Sequence, residues 1–212
     1  MRINNYKIFL ENKISIDDKH TIDYICRKYD IINYTINDDG TIDVEGGVSL
    51  CHKSLTKLPL KFGKVNGYFD CGHNQLTSLE GSPYWVGDFF SCKNNQLTSL
   101  EGSPKFVSYD FYCGHNQLTS LEGCPKTLSN YAVFFCENNN LVDFRGFPED
   151  FDGSYVNFSN NPVNELLKNI PKDLHIKFIY WCNEYDAIDK GISIPERIEE
   201  VYNKLGLKYE EN

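Results

Sequence analysis

The sequence predicts a solenoid, a chain wound into stacked coils with one short parallel strand per coil and a cap at each end. Three observations carry this. The stretch CGHNQLTSLEG at 71–81 returns as CKNNQLTSLEG at 92–102 and as CGHNQLTSLEG at 113–123. Each copy is entered through Phe-x-Cys, and this alternation puts both side chains of a short strand on one face. Gly and Pro then recur at Gly81/Pro83, Gly102/Pro104, Gly123/Pro125 and Gly146/Pro148, where they break the strand and turn the chain back. One copy has too little apolar surface to stand alone, whereas stacked copies bury a continuous core.

Each element follows in order. After Asp17 and Asp18, an N-cap region, Ile22, Ile25, Cys26 and Tyr29 stand at helical spacing within residues 16–30. IINYTINDDGTIDV at 31–44 alternates around Asp39-Gly40, a hairpin signal. Helix and hairpin together form an expected N-terminal cap over 1–47. The array is expected over 48–178. VSLCHKSLTKLP (48–59) puts Leu50 at the cysteine position, FFCENNNLVDFRGFP (134–148) supplies Cys136, and VNFSNNPVNELL (156–167) supplies Phe158. LHIKFIYWC (174–182) reads as a weaker seventh copy. Strands are expected near 48–50, 69–71, 90–92, 111–113, 134–136 and 156–158, all parallel. A C-terminal helical cap is expected over 179–212. NEYDAIDK (183–190) suggests a short helix. Ser193 and Glu196 then make an S-x-x-E capping box with Pro195 in the first turn. Ile194, Ile198, Val201, Tyr202 and Leu205 give the last helix one apolar face, and Gly206 ends it.

Aligned in register, the copies form columns. Phe69, Phe90, Phe111, Phe134 and Val156 share one, and Leu76, Leu97, Leu118, Leu141 and Val163 another. Val65, Val86, Val107, Leu128 and Phe151 recur once per return leg. Asn74, Asn95, Asn116, Asn139 and Asn161 form a polar column where the strand must bend. A buried amide there offers donors and an acceptor to backbone groups that have lost ladder partners. The pattern resembles the leucine-rich repeat, L-x-x-L-x-L-x-x-N-x-L, over roughly residues 48–178, with Phe and Cys in place of two strand leucines. The resemblance implies an α/β-type solenoid with a parallel sheet on its concave face. It assigns the five asparagines to an asparagine ladder, and it implies a protein-binding scaffold.

Composition narrows the function. The chain has 212 residues, of which 41% are hydrophobic, enough for one sizeable core or one elongated array. Lys plus Arg is 21 against 30 for Asp plus Glu, a net charge of −9. That balance repels phosphate backbones, so no nucleic acid partner is expected. The opening MRINNYKIFLENK lacks the apolar run of a signal peptide, and no later stretch is long and apolar enough to span a bilayer. No membrane association is therefore expected. Eight cysteines without an export signal predict reduced thiols and a cytoplasmic location.

The cysteine column invites a metal reading, and geometry argues against it. Strands about 4.8 Å apart would spread Cys71, Cys92, Cys113 and Cys136 along a line of about 14 Å. Tetrahedral zinc needs four sulfurs about 2.3 Å from one point. Leu50 and Phe158 in the same column mark the position as an apolar filler, a role buried cysteine fills as a small hydrophobe. Adjacent cysteines would still fall within disulfide range by distance. His52, His73 and His115 share a phase with Asn94, Asn138 and Asn160. They read either as exposed polar residues at the strand exit or, for His52 and His73, as a pair able to share a cation. No catalytic residues, metal or cofactor are expected: a Cys–His dyad needs an accessible thiolate, and no phosphate loop is present.

If Phe69 and Cys71 face inward, their neighbours face outward on the concave sheet. The outward positions bring together Tyr68, Asp70, Phe89, Lys93, Asp110, Tyr112, Phe135, Glu137 and Tyr155. Exposed aromatics of this density mark a contact surface, and the alternative is that they shield the sheet. The repeated LTSLEG-x-P phrasing and short caps are similar to leucine-rich-repeat proteins of tailed bacteriophages. That resemblance implies a phage protein that binds a host protein, such as a defence component, in the host cytoplasm. The rival is a small-ligand binder holding a nucleotide-like molecule near His73, Lys93 and His115, which needs an enclosed pocket.

Overall fold

A computed structural model describes residues 19–189 and 191–209. The expected N-cap residues Asp17 and Asp18, and the rest of the stretch before Lys19, lie outside the described residues. Helix α1 (Lys19–Lys28) buries Ile22 and Cys26, four apart on one face. The hairpin follows as β1 (Tyr34–Ile36) and β2 (Ile42–Val44), paired antiparallel with Gly40 at φ 79° in the turn.

From there the chain winds as a β-solenoid with two parallel sheets. One is built from β3 (Val48–Ser49), β5 (Phe69–Asp70), β7 (Phe90–Ser91), β9 (Phe111–Tyr112), β10 (Val133–Phe135) and β11 (Tyr155–Asn157). These lie side by side in chain order, every pair parallel, with Phe69 opposite Phe90 and Phe90 opposite Phe111. Four fall within the predicted segments, and β10 and β11 overlap theirs but start one residue earlier. The other sheet is made by the return legs: β4 (Phe62–Val65), β6 (Trp85–Val86) and β8 (Phe106–Val107) run parallel to one another beside β2. Phe106 adds one bridge to Thr127, and the sheet ends there.

This second sheet corrects the α/β expectation. Between Lys28 and Pro162 the chain has no helix. The return legs are too short for helical turns to form, and Val65, Val86 and Val107 instead stack in register, each buried. Helices appear beyond the coils. Two 3₁₀ segments (Pro162–Leu167 and Lys172–Leu174) lead into α2 (His175–Glu184), and the short antiparallel pair β12 (Ile188–Asp189) and β13 (Ile192–Ser193) precedes α3 (Pro195–Lys204).

Three expectations at this end are corrected. LHIKFIYWC is not a seventh coil but most of α2, and its buried residues Phe178, Ile179 and Cys182 follow a helical face rather than alternation. NEYDAIDK is not a helix of its own: it contains the end of α2, a turn and β12. The Ser193/Glu196 capping box does not form. Ser193 is held in β13 opposite Ile188, so Ile194 becomes the N-cap and has no side-chain cap bond. Pro195 does open α3, and Ile198 and Val201 bury its inner face. At its far end the N–H of Gly206 (φ 68°) donates to Asn203 and that of Leu207 to Tyr202, which closes the last turn.

The core is continuous from Ile22 in α1 to Val201 in α3. Its spine is the phenylalanine column: Phe69, Phe90 and Phe111 stack nearly parallel with centroids 5.7 Å apart, and Phe134 continues the row at 5.2 Å from Phe111. Among the described residues no helix is long and apolar enough to cross a membrane.

Candidate functional site

The outward face of the six-stranded sheet rests on two buried columns. Cys71, Cys92, Cys113 and Cys136 are fully buried free thiols. Burial pushes each well above its ordinary pKa. The Sγ of Cys71 donates to the carbonyl of Ser91 on the next coil, and that of Cys136 to Asn157. A protonated, buried thiol is a packing group and a weak donor, not a nucleophile.

The asparagine column fixes the bend. The Asn116 side chain donates from Nδ2 to the carbonyl of Cys113 in its own coil and of Cys92 in the coil before, each at 3.1 Å. Its Oδ1 accepts the N–H of Leu97 at 3.0 Å. Asn95, Asn139 and Asn161 repeat the pattern. Asn74 varies it, with Oδ1 accepting from both Lys53 and Leu55. Each amide thus ties two coils together.

On this base the predicted site residues do gather on one surface. The rings of Tyr68 and Phe89 stack with centroids 5.1 Å apart, and Phe89 meets Tyr112 edge-on at 6.0 Å. Tyr112 stacks on Phe135 at 5.5 Å, and Phe135 meets Tyr155 at 5.7 Å. The five rings form one unbroken row across five coils, half-buried except for Tyr155, which is 44% exposed. Asp110 accepts from the Tyr112 hydroxyl at 2.8 Å and from the Val133 N–H at 2.9 Å. Burial, together with that carboxylate, pushes the Tyr112 phenol up to about 12. Asp70 accepts the N–H of Gly72. Glu137 lies 4.0 Å from His115 and accepts from Asn157. Lys93 shares the register position of Gly72 and Glu137, and its charge is felt by Cys51 and His73.

Two contributors were not anticipated. Asp88 is exposed beside the row and caps the N–H of Phe89 at 2.9 Å. Glycines make room for the face: a side chain at Gly47 would collide with the Tyr68 ring, and one at Gly114 with the Glu137 carboxylate. The alternation Gly72, Lys93, Gly114, Glu137 carries that signal in the sequence.

The histidine row has a backbone cause. His52, His73, Asn94, His115, Asn138 and Asn160 all have φ between 54° and 56°, the left-handed region that Asn and His tolerate better than most residues. The rings of His52 and His73 stack face to face with centroids 4.3 Å apart. Burial, then the neighbouring His52 and Lys93, lower the His73 pKa. Among the described residues no group of three His, Cys, Asp or Glu side chains could hold a metal ion.

A cleft of about 710 Å³ lies elsewhere, between the late return legs and α2, with Cys124, Arg145, Phe147 and Cys182 in its lining. A 120 Å³ hollow at Phe147 and Tyr180 adjoins it. Arg145 is held there by Asp143 at 2.6 Å. None of the ring-row residues lines either space.

The fold and this surface define a class, a β-solenoid repeat protein with an aromatic, carboxylate-flanked face on one of its two parallel sheets. Comparison with protein-family models, curated proteins and solved structures gives no match.

Proposed function

We propose that the chain is a non-enzymatic binding module that docks a protein partner on the outward face of its six-stranded sheet. The observation that carries this is the unbroken row from Tyr68 to Tyr155. Rigid rings supply contact area at low entropic cost, and interface energy concentrates in such residues near the centre of a patch. The small-ligand alternative needs an enclosed space at His73, Lys93 and His115, whereas the large cleft lies away from them. The resemblance to leucine-rich repeats supports the same reading, and its phage-like phrasing supports a host protein as target and the host cytoplasm as the place of action.

The test is the double change Tyr112→Ala and Phe135→Ala. Binding to a captured partner should weaken at least about tenfold, roughly 1.4 kcal/mol, with the melting temperature nearly unchanged. A lowered melting temperature with unchanged binding would instead mean that the rings only shield the sheet.

A further inference from the structure

We infer that the partner segment docked on this face is cationic, presenting arginine side chains to the ring row and its carboxylates. The inference rests on the docking face proposed above and adds the chemistry of its occupant.

The first observation is charge. Asp70, Asp88, Asp110 and Glu137 flank the rings, against one lysine, Lys93. Among the described residues no side-chain cation lies within ion-pair distance of Asp70, Asp88 or Asp110, and Glu137 has His115 at 4.0 Å. Carboxylates elsewhere in the chain do find cations: Arg145 holds Asp143, Lys168 holds Glu165, and Arg197 reaches Asp186.

The second observation is how aromatic rings are covered elsewhere. Lys64 sits over Trp85 at 4.3 Å from the ring centre, Lys28 over Tyr29 at 5.0 Å, and Lys204 over Trp181 at 5.3 Å. Among the described residues no cation sits over Tyr68, Phe89, Tyr112, Phe135 or Tyr155. Within the row Tyr68 and Phe89, and Tyr112 and Phe135, stack face to face. The row therefore offers apolar ring surface, most of it at the more exposed Tyr155, with carboxylates beside it and no cation over the rings. An arginine side chain fits both parts at once, because its apolar stem packs along the ring surface while its guanidinium forks two N–H donors onto a carboxylate. A strand-like segment lying along the row would meet a new ring at each coil, about every 4.8 Å. Phosphate-bearing partners meet a face of their own sign and are repelled.

The probe is a random peptide library displayed on a carrier, selected on the wild-type chain and counted against the Tyr112→Ala Phe135→Ala variant. Ring-dependent peptides should be enriched in arginine over the unselected library. Synthetic copies with citrulline at each arginine keep the shape and lose the charge, and should bind at least about tenfold more weakly. Asp70→Asn, Asp88→Asn and Glu137→Gln retain acceptor oxygens, so the melting temperature should hold. Each should weaken the arginine peptide by about threefold to tenfold, less so in high salt. Ring-dependent peptides without arginine enrichment, or citrulline copies that bind as tightly, would overturn the inference and leave the docking face standing. Ring-dependent binding of neutral oligosaccharides in place of peptides would overturn both, as would a library with no ring-dependent peptide.

Discussion

The two parallel sheets of one solenoid are held in different ways. On the six-stranded side the four central coils repeat a buried phenylalanine and cysteine with an asparagine at the bend, and the asparagine amides bind coil to coil. On the return side the shared feature is a buried valine per leg, and the polar ties between coils differ from one leg to the next, such as Ser103 to the Gly123 carbonyl or Asp43 to the Lys64 N–H. The sheets end differently too. The return-leg sheet stops at Thr127, where the cysteine spacing departs from its regular step, and Phe147 and Phe151 fill the gap against Phe134. The six-stranded sheet runs on through β11. The two extra residues fall between Gly123 and Cys136, on the return side, so they interrupt the valine row and leave the asparagine ladder in phase.

That contrast can be broken in several places. Cys92→Asp puts an unpaired charge into the column and should destabilise by about 3–5 kcal/mol in urea unfolding, the largest effect expected. Asn116→Ala strands the Leu97 N–H and two carbonyls, so a loss of about 3 kcal/mol is expected. Val86→Ala on the return side removes apolar area alone and should cost about 1–2 kcal/mol. If Val86→Ala proves as damaging as Asn116→Ala, the amide ladder is not what distinguishes the sheets. Cys92→Ala should cost about 1–2 kcal/mol.

The smallest effect is a pH slope. Burial raises the column thiols above their ordinary 9.0. Above pH 9 the unfolded chain therefore loses protons that the folded chain retains. Stability is complete below that value and falls as pH rises beyond it. Equilibrium unfolding from pH 8 upward should show this decline, and it should be shallower in Cys92→Ala. An unchanged slope in that variant would assign the effect to other groups.

Much of the six-stranded side was legible because its columns name their own environment. A position that accepts Phe, Phe, Phe, Phe and Val is a core position, and an asparagine at every bend has few other uses. The return sheet was harder to see: Trp85-Val86 and Phe106-Val107 are two residues each, too short to display alternation. The α2 segment misled because Ile176, Phe178, Tyr180 and Cys182 alternate in sequence while Phe178, Ile179 and Cys182 are the ones buried. The histidines suggested chemistry, whereas their shared constraint is a positive φ. The ring row was found from strand phase, but Asp88 was missed because it stands just outside the repeated motif. The cleft at Cys124 and Cys182 had no local signal, since it joins residues distant in sequence.

The near-identity of the central coils has a consequence for how this surface can change size. Excision of residues 92–112 would join Ser91 to Cys113 and restore the series Phe-Ser-Cys-Gly-His-Asn without a seam. Asn116 would then face Cys71 and Leu76 in place of Cys92 and Leu97, the same atoms one storey down. The face would shorten by one strand spacing, about 4.8 Å, and lose the Tyr112 ring. Insertion of a further copy would do the reverse. The length of the ring row is thus a whole-number property, and gene-level duplication or loss of one coil could refit it to a longer or shorter target without redesigning the core.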